Sequence, residues 1–507
     1  MNRAITGSLL ALCIVVSFFL PAAAEDSPRL ADDPRVTDAV RAWEEWVEYQ
    51  AAVNAIPGVS VGIVHDQELI STNAFGFANP EAGMAATPET LYSICSISKL
   101  FTSIAVMQQR DAGKLRLDDP VSEYLSWFDI EDVHPDDGPI TVRGLLTHSA
   151  GLPRESDYPY WTAEDYPFPT HDQIVGRLEE QETLYPSSRF YQYSNLGLSL
   201  AGEIVATTSE QAFGDYVRDN ILEPLGMKDT FTEVPKELRG GRLAIGYSAR
   251  GRDGTREVVA PFQARGIAPA AGFASNVEDL ARFGMWQFRL LSEGGSEVLR
   301  ASTLREMQRV QWVDPDWKTT WGLGFAVTRP GERTFVSHGG GCPGYYTHFR
   351  AEPASKIAAI VLTNAIGSEV GSYTAAAFDL VAPAIERALK DPDGAPERDP
   401  ALDRYTGIYT SIWGQVAVIR WDDSLAMLWL RTRDPAESLN KLKKTGEHTF
   451  RRIREDDEEV LGEEYVFEVA EDGTVTQVTW HSNPYKKTGD STPISRPELP
   501  QPLPYPK

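Results

Sequence analysis

Tyr92-Ser93-Ile94-Cys95-Ser96-Ile97-Ser98-Lys99-Leu100-Phe101 sets a serine three residues ahead of a lysine, where an extended run turns into a helix. Three residues is nearly one helical turn, so Ser96 and Lys99 share a face and the amine can reach the hydroxyl. A serine hydroxyl is a weak nucleophile until a neighbour takes its proton. A helix start adds backbone N–H groups and the positive end of the helix dipole, both suited to a developing negative charge. Ser96 is the candidate nucleophile and Lys99 its proton-handling partner.

Two other serines imitate such a site. Ser438-Leu439-Asn440-Lys441 repeats the spacing in a polar segment and is given no role. Gly58-Val59-Ser60-Val61-Gly62 has the letters of a nucleophile elbow. That motif needs a strand-to-helix turn at its serine, whereas Ser60 lies inside an alternating strand.

The chain has 507 residues, 42% of them hydrophobic, which is enough for two domains with their own cores. A formal net charge of -25 argues against nucleic acid and anionic membrane surfaces as partners. Arg3, the apolar run Ala4 to Leu20 and Pro21-Ala22-Ala23-Ala24 predict a signal peptide over residues 1–24. Export to the periplasm or the medium is expected, with no stable membrane span after cleavage. Cys95 and Cys342 remain, and composition leaves one disulfide or two buried thiols equally open. The eight histidines lack metal-ligand spacing, so neither metal nor cofactor is expected.

Residues 36–54 carry apolar side chains at helical spacing. Val59 to Val64 and Leu69 to Phe75 read as paired strands around Asp66-Gln67. The helix begun at Ser96 should run to about Arg110, with Gly113 as its stop. Thr141 to Pro153 reads as a short helix and turn holding His148, a structural hydrogen-bonder. An aromatic loop follows with Tyr158, Tyr160, Trp161, Tyr166 and Phe168. It reads either as the wall of a cleft or as a satellite core. Tyr193 and Asn195 fall just ahead of another helix. A phenol near an ammonium can act as a base, and an amide can bond both a substrate and Lys99. Ser275-Asn276-Val277-Glu278 reads as a capping box. Residues 321–328, 333–338, 345–350 and 357–363 read as antiparallel strands. One of them carries His338-Gly339-Gly340-Gly341, whose glycines would let a substrate lie close.

Ser96-x-x-Lys99, Tyr193-x-Asn195 and His338-Gly339-Gly340, in that order, resemble the serine beta-lactamase and penicillin-binding protein superfamily. The tyrosine form of the middle motif is similar to the class C beta-lactamases and their esterase and D-amino-acid peptidase relatives. LLTHSAGLP at 145–153, PLGM at 224–227 and PAAGFAS at 269–275 add to the likeness.

The resemblance implies an α+β fold: an antiparallel sheet flanked by helices, a helical subdomain, and the site between them. It implies that Ser96 attacks a carbonyl while Lys99 and Tyr193 remove its proton. The backbone N–H groups of Ser96 and Gly341 would form the oxyanion hole, and Asn195, His338, Gly339 and Gly340 would bind substrate. The substrate would be a small molecule or peptide, with cell-wall material as one source. His338 stands where lactamases and transpeptidases have lysine, which favours esterase or peptidase activity. Cys95 stands where glycine is usual. The fold would bring it near Cys342, and a disulfide between them is expected.

The resemblance covers residues 36–390. Asp391 to Pro400 is a polar, proline-rich linker. Residues 401–488 alternate in short runs that suggest a small antiparallel barrel, similar to the lipocalin-like appendage of some family members. A filled barrel packed on the first domain is expected. The proline-rich tail, 489–507, should be extended or disordered. A second reading of the whole chain is a catalytically silent binding protein that recognises peptidoglycan or peptides.

Overall fold

The computed structural model describes residues 29–158, 160–162, 166–454 and 460–490. The predicted signal peptide, and the tail from 491 on, lie outside them.

Helix α1 (Pro34–Val53) starts at Asp33, whose side chain accepts from the Arg35 N–H, with Pro34 at the first helical position. Strands β1 (Gly58–His65) and β2 (Glu68–Asn79) form a hairpin, extended by the short β3 (Met84–Ala85). Helices α2 (Ser98–Asp111), α3 (Val142–Thr147), α4 (Asn195–Ser209) and α5 (Val277–Glu293) follow. Strands β4 (Trp312–Val313), β5 (Thr320–Trp321), β6 (Ala326–Thr328), β7 (Phe335–Cys342), β8 (Tyr345–Glu352) and β9 (Ile357–Thr363) complete the sheet, and α6 (Val370–Lys390) closes the domain. The sheet has nine strands in the order β4-β5-β6-β7-β8-β9-β1-β2-β3, every neighbouring pair antiparallel.

Alternation in β9 divides the core. Ile357, Ala359 and Val361 face α1 and α6, while Ala358, Ile360 and Leu362 face α2 and α5. A Cβ on Gly62 would sit 2.4 Å from the Val277 side chain, so glycine lets α5 lie close on β1. The cap of α5 is Asn276, one residue later than the box read from Ser275, and its side chain accepts from Asp279. Ser60 is buried in β1 and donates to the Thr87 carbonyl.

The second domain is a closed antiparallel barrel: β10 (Gly407–Ser411), β11 (Gly414–Trp421), β12 (Ser424–Trp429), β13 (Leu439–Lys444), β14 (Thr449–Ile453), β15 (Leu461–Val469), β16 (Val475–Trp480) and β17 (Asn483–Gly489). Pairing of β10 with β17 closes it, Thr410 opposite Lys486. Val416, Val418, Leu425, Met427, Phe450 and Phe467 fill the interior. The outward Ala417, Ile419, Ala426 and Leu428 instead join the core of α1 and α6. The Trp46 indole donates to the Thr432 carbonyl, and Arg398 of the linker pairs with Asp38 of α1 at 2.6 Å. The barrel therefore covers the helical layer behind the sheet, opposite α2. Among the described residues no helix is long and apolar enough to cross a membrane.

Candidate active site

A single 3-10 turn, Cys95–Ile97, carries Ser96 into α2, so the serine sits just before the α-helix rather than in its first turn. Ser98 Oγ holds the turn, donating to the Cys95 carbonyl at 2.5 Å and accepting from the Phe273 N–H at 3.0 Å. Cys95 has φ +50°, a left-handed conformation that costs an L-residue about 1–2 kcal/mol. This gives a physical reason for glycine at the position in the sequences the chain resembles. Here a disulfide to Cys342 holds the turn, with the Cα atoms 5.7 Å apart. It brackets the site, because Ser96 follows one half-cystine and Gly341 precedes the other. The neighbouring Gly340 lies so close to the turn that a Cβ would come within 2.2 Å of the Ile94 carbonyl oxygen.

Lys99 is fully buried. Its amine lies 3.2 Å from Ser96 Oγ, 2.7 Å from Asn195 Oδ1 and 2.8 Å from the Ala270 carbonyl. Burial holds its pKa well below the ordinary lysine value, with Glu155 opposing that shift and Arg154 adding to it. Burial raises the pKa of Tyr193, and the Ser96 side chain beside it opposes that shift. The Lys99 amine is 4.8 Å from the centre of its ring. The α4 cap is Ser194, accepting from Gly197 at 2.8 Å. Asn195 is thereby the first helical residue, its side chain free to meet Lys99.

His338 is buried on β7 with its Nδ1 2.7 Å from the Gly339 carbonyl. A carbonyl only accepts, so Nδ1 carries the proton and Nε2 is a bare acceptor, which has no partner among the described residues. Burial, helped by Lys99, lowers its pKa to about 3, so the ring is neutral at physiological pH. Gly339 and Gly341 are exposed on the same strand. His148 accepts from the Ser194 N–H at 3.1 Å and stacks on Tyr193, ring centres 4.3 Å apart.

Ser96, Lys99, Tyr193, Asn195 and the His338 strand thus converge from three segments. The described aromatics of the loop join the main core around α2 rather than a cleft wall or a satellite core, with Phe168 stacked on Phe262 and Tyr160 buried. The aromatic wall comes from elsewhere: Trp321 lies 5.6 Å from His338 and 5.3 Å from Tyr191. Trp321, Arg154, Glu155 and the Ala270 carbonyl were not singled out by the sequence reading. Arg154 and Glu155 directly follow the LLTHSAGLP block and Ala270 lies within PAAGFAS, whereas Trp321 lies beside neither.

Known proteins resemble this chain in sequence and fold. The family model described as Beta-lactamase matches residues 43–383. Beta-lactamase-like protein 2 of Dictyostelium discoideum is 25% identical over 458 residues, covering 84% of this chain and 81% of its own. Penicillin-binding protein 4 of Amycolatopsis lactamdurans is 26% identical over 331 residues, 64% of this chain and 84% of that one. The octameric penicillin-binding protein homologue from Pyrococcus abyssi aligns with a TM-score of 0.58 at 23% identity, covering 88% of this chain and 100% of the other.

Proposed function

The chain belongs to the beta-lactamase family and is a serine hydrolase, and from that premise we propose that it is exported and cleaves an ester or amide through an acyl-enzyme on Ser96. The observation that carries this reading is the set of three oxygens around the Lys99 amine. Asn195 Oδ1 and the Ala270 carbonyl can only accept. A neutral amine therefore spends two hydrogens on them and turns its lone pair to the Ser96 hydroxyl, and the lowered pKa favours that neutral form.

In the proposed cycle Lys99 takes the Ser96 proton as Oγ attacks the carbonyl. The N–H groups of Ser96 and Gly341 receive the oxyanion, each such donor typically contributing ~3–4 kcal/mol. Tyr193, held protonated by burial, gives its proton to the leaving group, and Lys99 returns its own to Tyr193. A water then attacks the acyl-enzyme, losing its proton to the Tyr193–Lys99 pair, and Ser96 leaves with a proton. Asn195, His338, Gly339 and Gly340 line the substrate.

The neutral His338 offers a substrate carboxylate no fixed cation. It favours esters and amides without a carboxylate at that point over beta-lactams. The filled, closed barrel supports the lipocalin-like reading of residues 401–488, as a support for α1 and α6 rather than a carrier. A panel of p-nitrophenyl esters, a chromogenic cephalosporin and D-Ala-D-Ala peptides tests the substrate class. Turnover of the esters ahead of the cephalosporin is expected; the reverse order contradicts the His338 argument.

A further inference from the structure

Asn195 holds Lys99 only if its oxygen, not its NH2, faces the amine. An amide fits its pocket either way round, so something must choose. That something is Glu155, on the loop after Pro153. Asn195 Nδ2 donates to Glu155 Oε1 at 2.8 Å and to Oε2 at 3.1 Å. A carboxylate only accepts, so the NH2 must face Glu155 and Oδ1 must face Lys99. Glu155 is itself fixed: its carboxylate accepts from the Tyr160 hydroxyl and pairs with Arg154 Nε at 3.2 Å. Its carbonyl accepts from Gln181 at 3.1 Å.

Resting on the acyl-enzyme reading above, we propose that Glu155 is a positioning residue, which orients Asn195 and through it the Lys99 amine toward Ser96. The same carboxylate is the negative charge facing the buried amine. The other polar groups around Lys99 are Arg154 on the Glu155 loop, Tyr193 ahead of α4, His148 after α3 and His338 on β7. Arg154 opposes Glu155, and both histidines are held neutral by burial. Glu155 therefore favours the protonated amine and sets how far pH must rise before Lys99 is free to act.

Glu155→Gln and Glu155→Ala separate orientation from charge, with kcat/KM for p-nitrophenyl acetate followed against pH. Glutamine can still accept from Asn195 through its one oxygen, so plateau kcat should fall much less than in Glu155→Ala. The acid limb of Glu155→Gln should move about one unit to lower pH, because removing the negative charge frees the amine earlier. Alanine should lose about tenfold to a hundredfold in kcat at every pH. An unmoved acid limb in a folded Glu155→Gln protein overturns the proposal, whether or not Glu155→Ala folds. Activity that survives Ser96→Ala overturns the acyl-enzyme reading as well. Ser96-dependent activity with an unmoved limb overturns this proposal alone.

Discussion

Cys95 is bonded to Cys342 across 247 residues, joining the turn before the nucleophile to the end of the glycine strand. Closing so long a loop typically stabilises a fold by about 2–5 kcal/mol. The bond also holds Cys95 at φ +50°, so its loss should act on the turn as well as on global stability. Glycine adopts that conformation without penalty. Cys95→Gly/Cys342→Ala should therefore keep activity within about threefold of wild type, while Cys95→Ala/Cys342→Ala loses about tenfold. Esterase rates and melting temperatures of the two double variants check this. Equal activities would refute the backbone argument.

Lys99 works as an unprotonated amine in this account. Its pKa is depressed by burial, so its free base should persist well below the ordinary lysine value of about 10.4. Activity is lost as pH falls through that depressed value, because the protonated amine cannot accept from Ser96. A kcat/KM profile with an acid limb near pH 10 would contradict the assignment.

Tyr193→Phe removes the proton donor but keeps the ring against His148 and Lys99. A loss of about 10²–10⁴-fold in kcat is expected, and smaller for substrates whose leaving group needs no proton. Comparing a p-nitrophenyl ester with an alkyl amide reads the difference. Equal losses on both would argue against a leaving-group role.

His338→Lys would place an ammonium where the neutral ring now lies. The ratio of cephalosporin to p-nitrophenyl ester turnover should rise about tenfold, since only the former brings a carboxylate. An unchanged ratio would move carboxylate discrimination elsewhere in the site.

Glu44, on α1, is buried against β2. Ser71 donates to its carboxylate at 2.5 Å and Asn73 at 2.9 Å. Burial still outweighs these bonds and raises its pKa from 4.5 to about 7. The folded protein thus binds a proton that the unfolded chain has released between about pH 4.5 and 7, and stability falls as pH rises through that window. Glu44→Gln should flatten this dependence and stabilise the protein by about 1–3 kcal/mol at pH 8. Denaturant melts at pH 5 and 8 measure it. A variant less stable than wild type at pH 8 would contradict the sign.

The parts of the site that could be read in the sequence are those whose chemistry is local. Ser96 and Lys99 lie one turn apart, and Tyr193-Ser194-Asn195 is short enough to stand out. Glu155 and the Ala270 carbonyl reach Lys99 only through the fold, the second from 171 residues away, and no spacing announces them. The aromatic loop lacks a period, so nothing in it tells a cleft wall or satellite core from what it forms, an extension of the main core through Tyr160 and Phe168. Barrel strands were legible from alternation at Tyr465 to Val469, where buried and exposed positions take turns. Which face packs on α1 depends on Trp46 and Gln50, nearly 400 residues upstream, as does the bond from Trp46 to Thr432. The capping box slipped by one residue because Ser275 and Asn276 are both competent caps.

Mass analysis of the intact, folded protein after a serine-reactive fluorophosphonate, followed by peptide mapping, tests the central claim most directly. One adduct per chain on Ser96 is predicted, absent from Ser96→Ala and strongly slowed in Lys99→Met. No adduct on the folded protein, or labelling that persists in Ser96→Ala, would contradict the account.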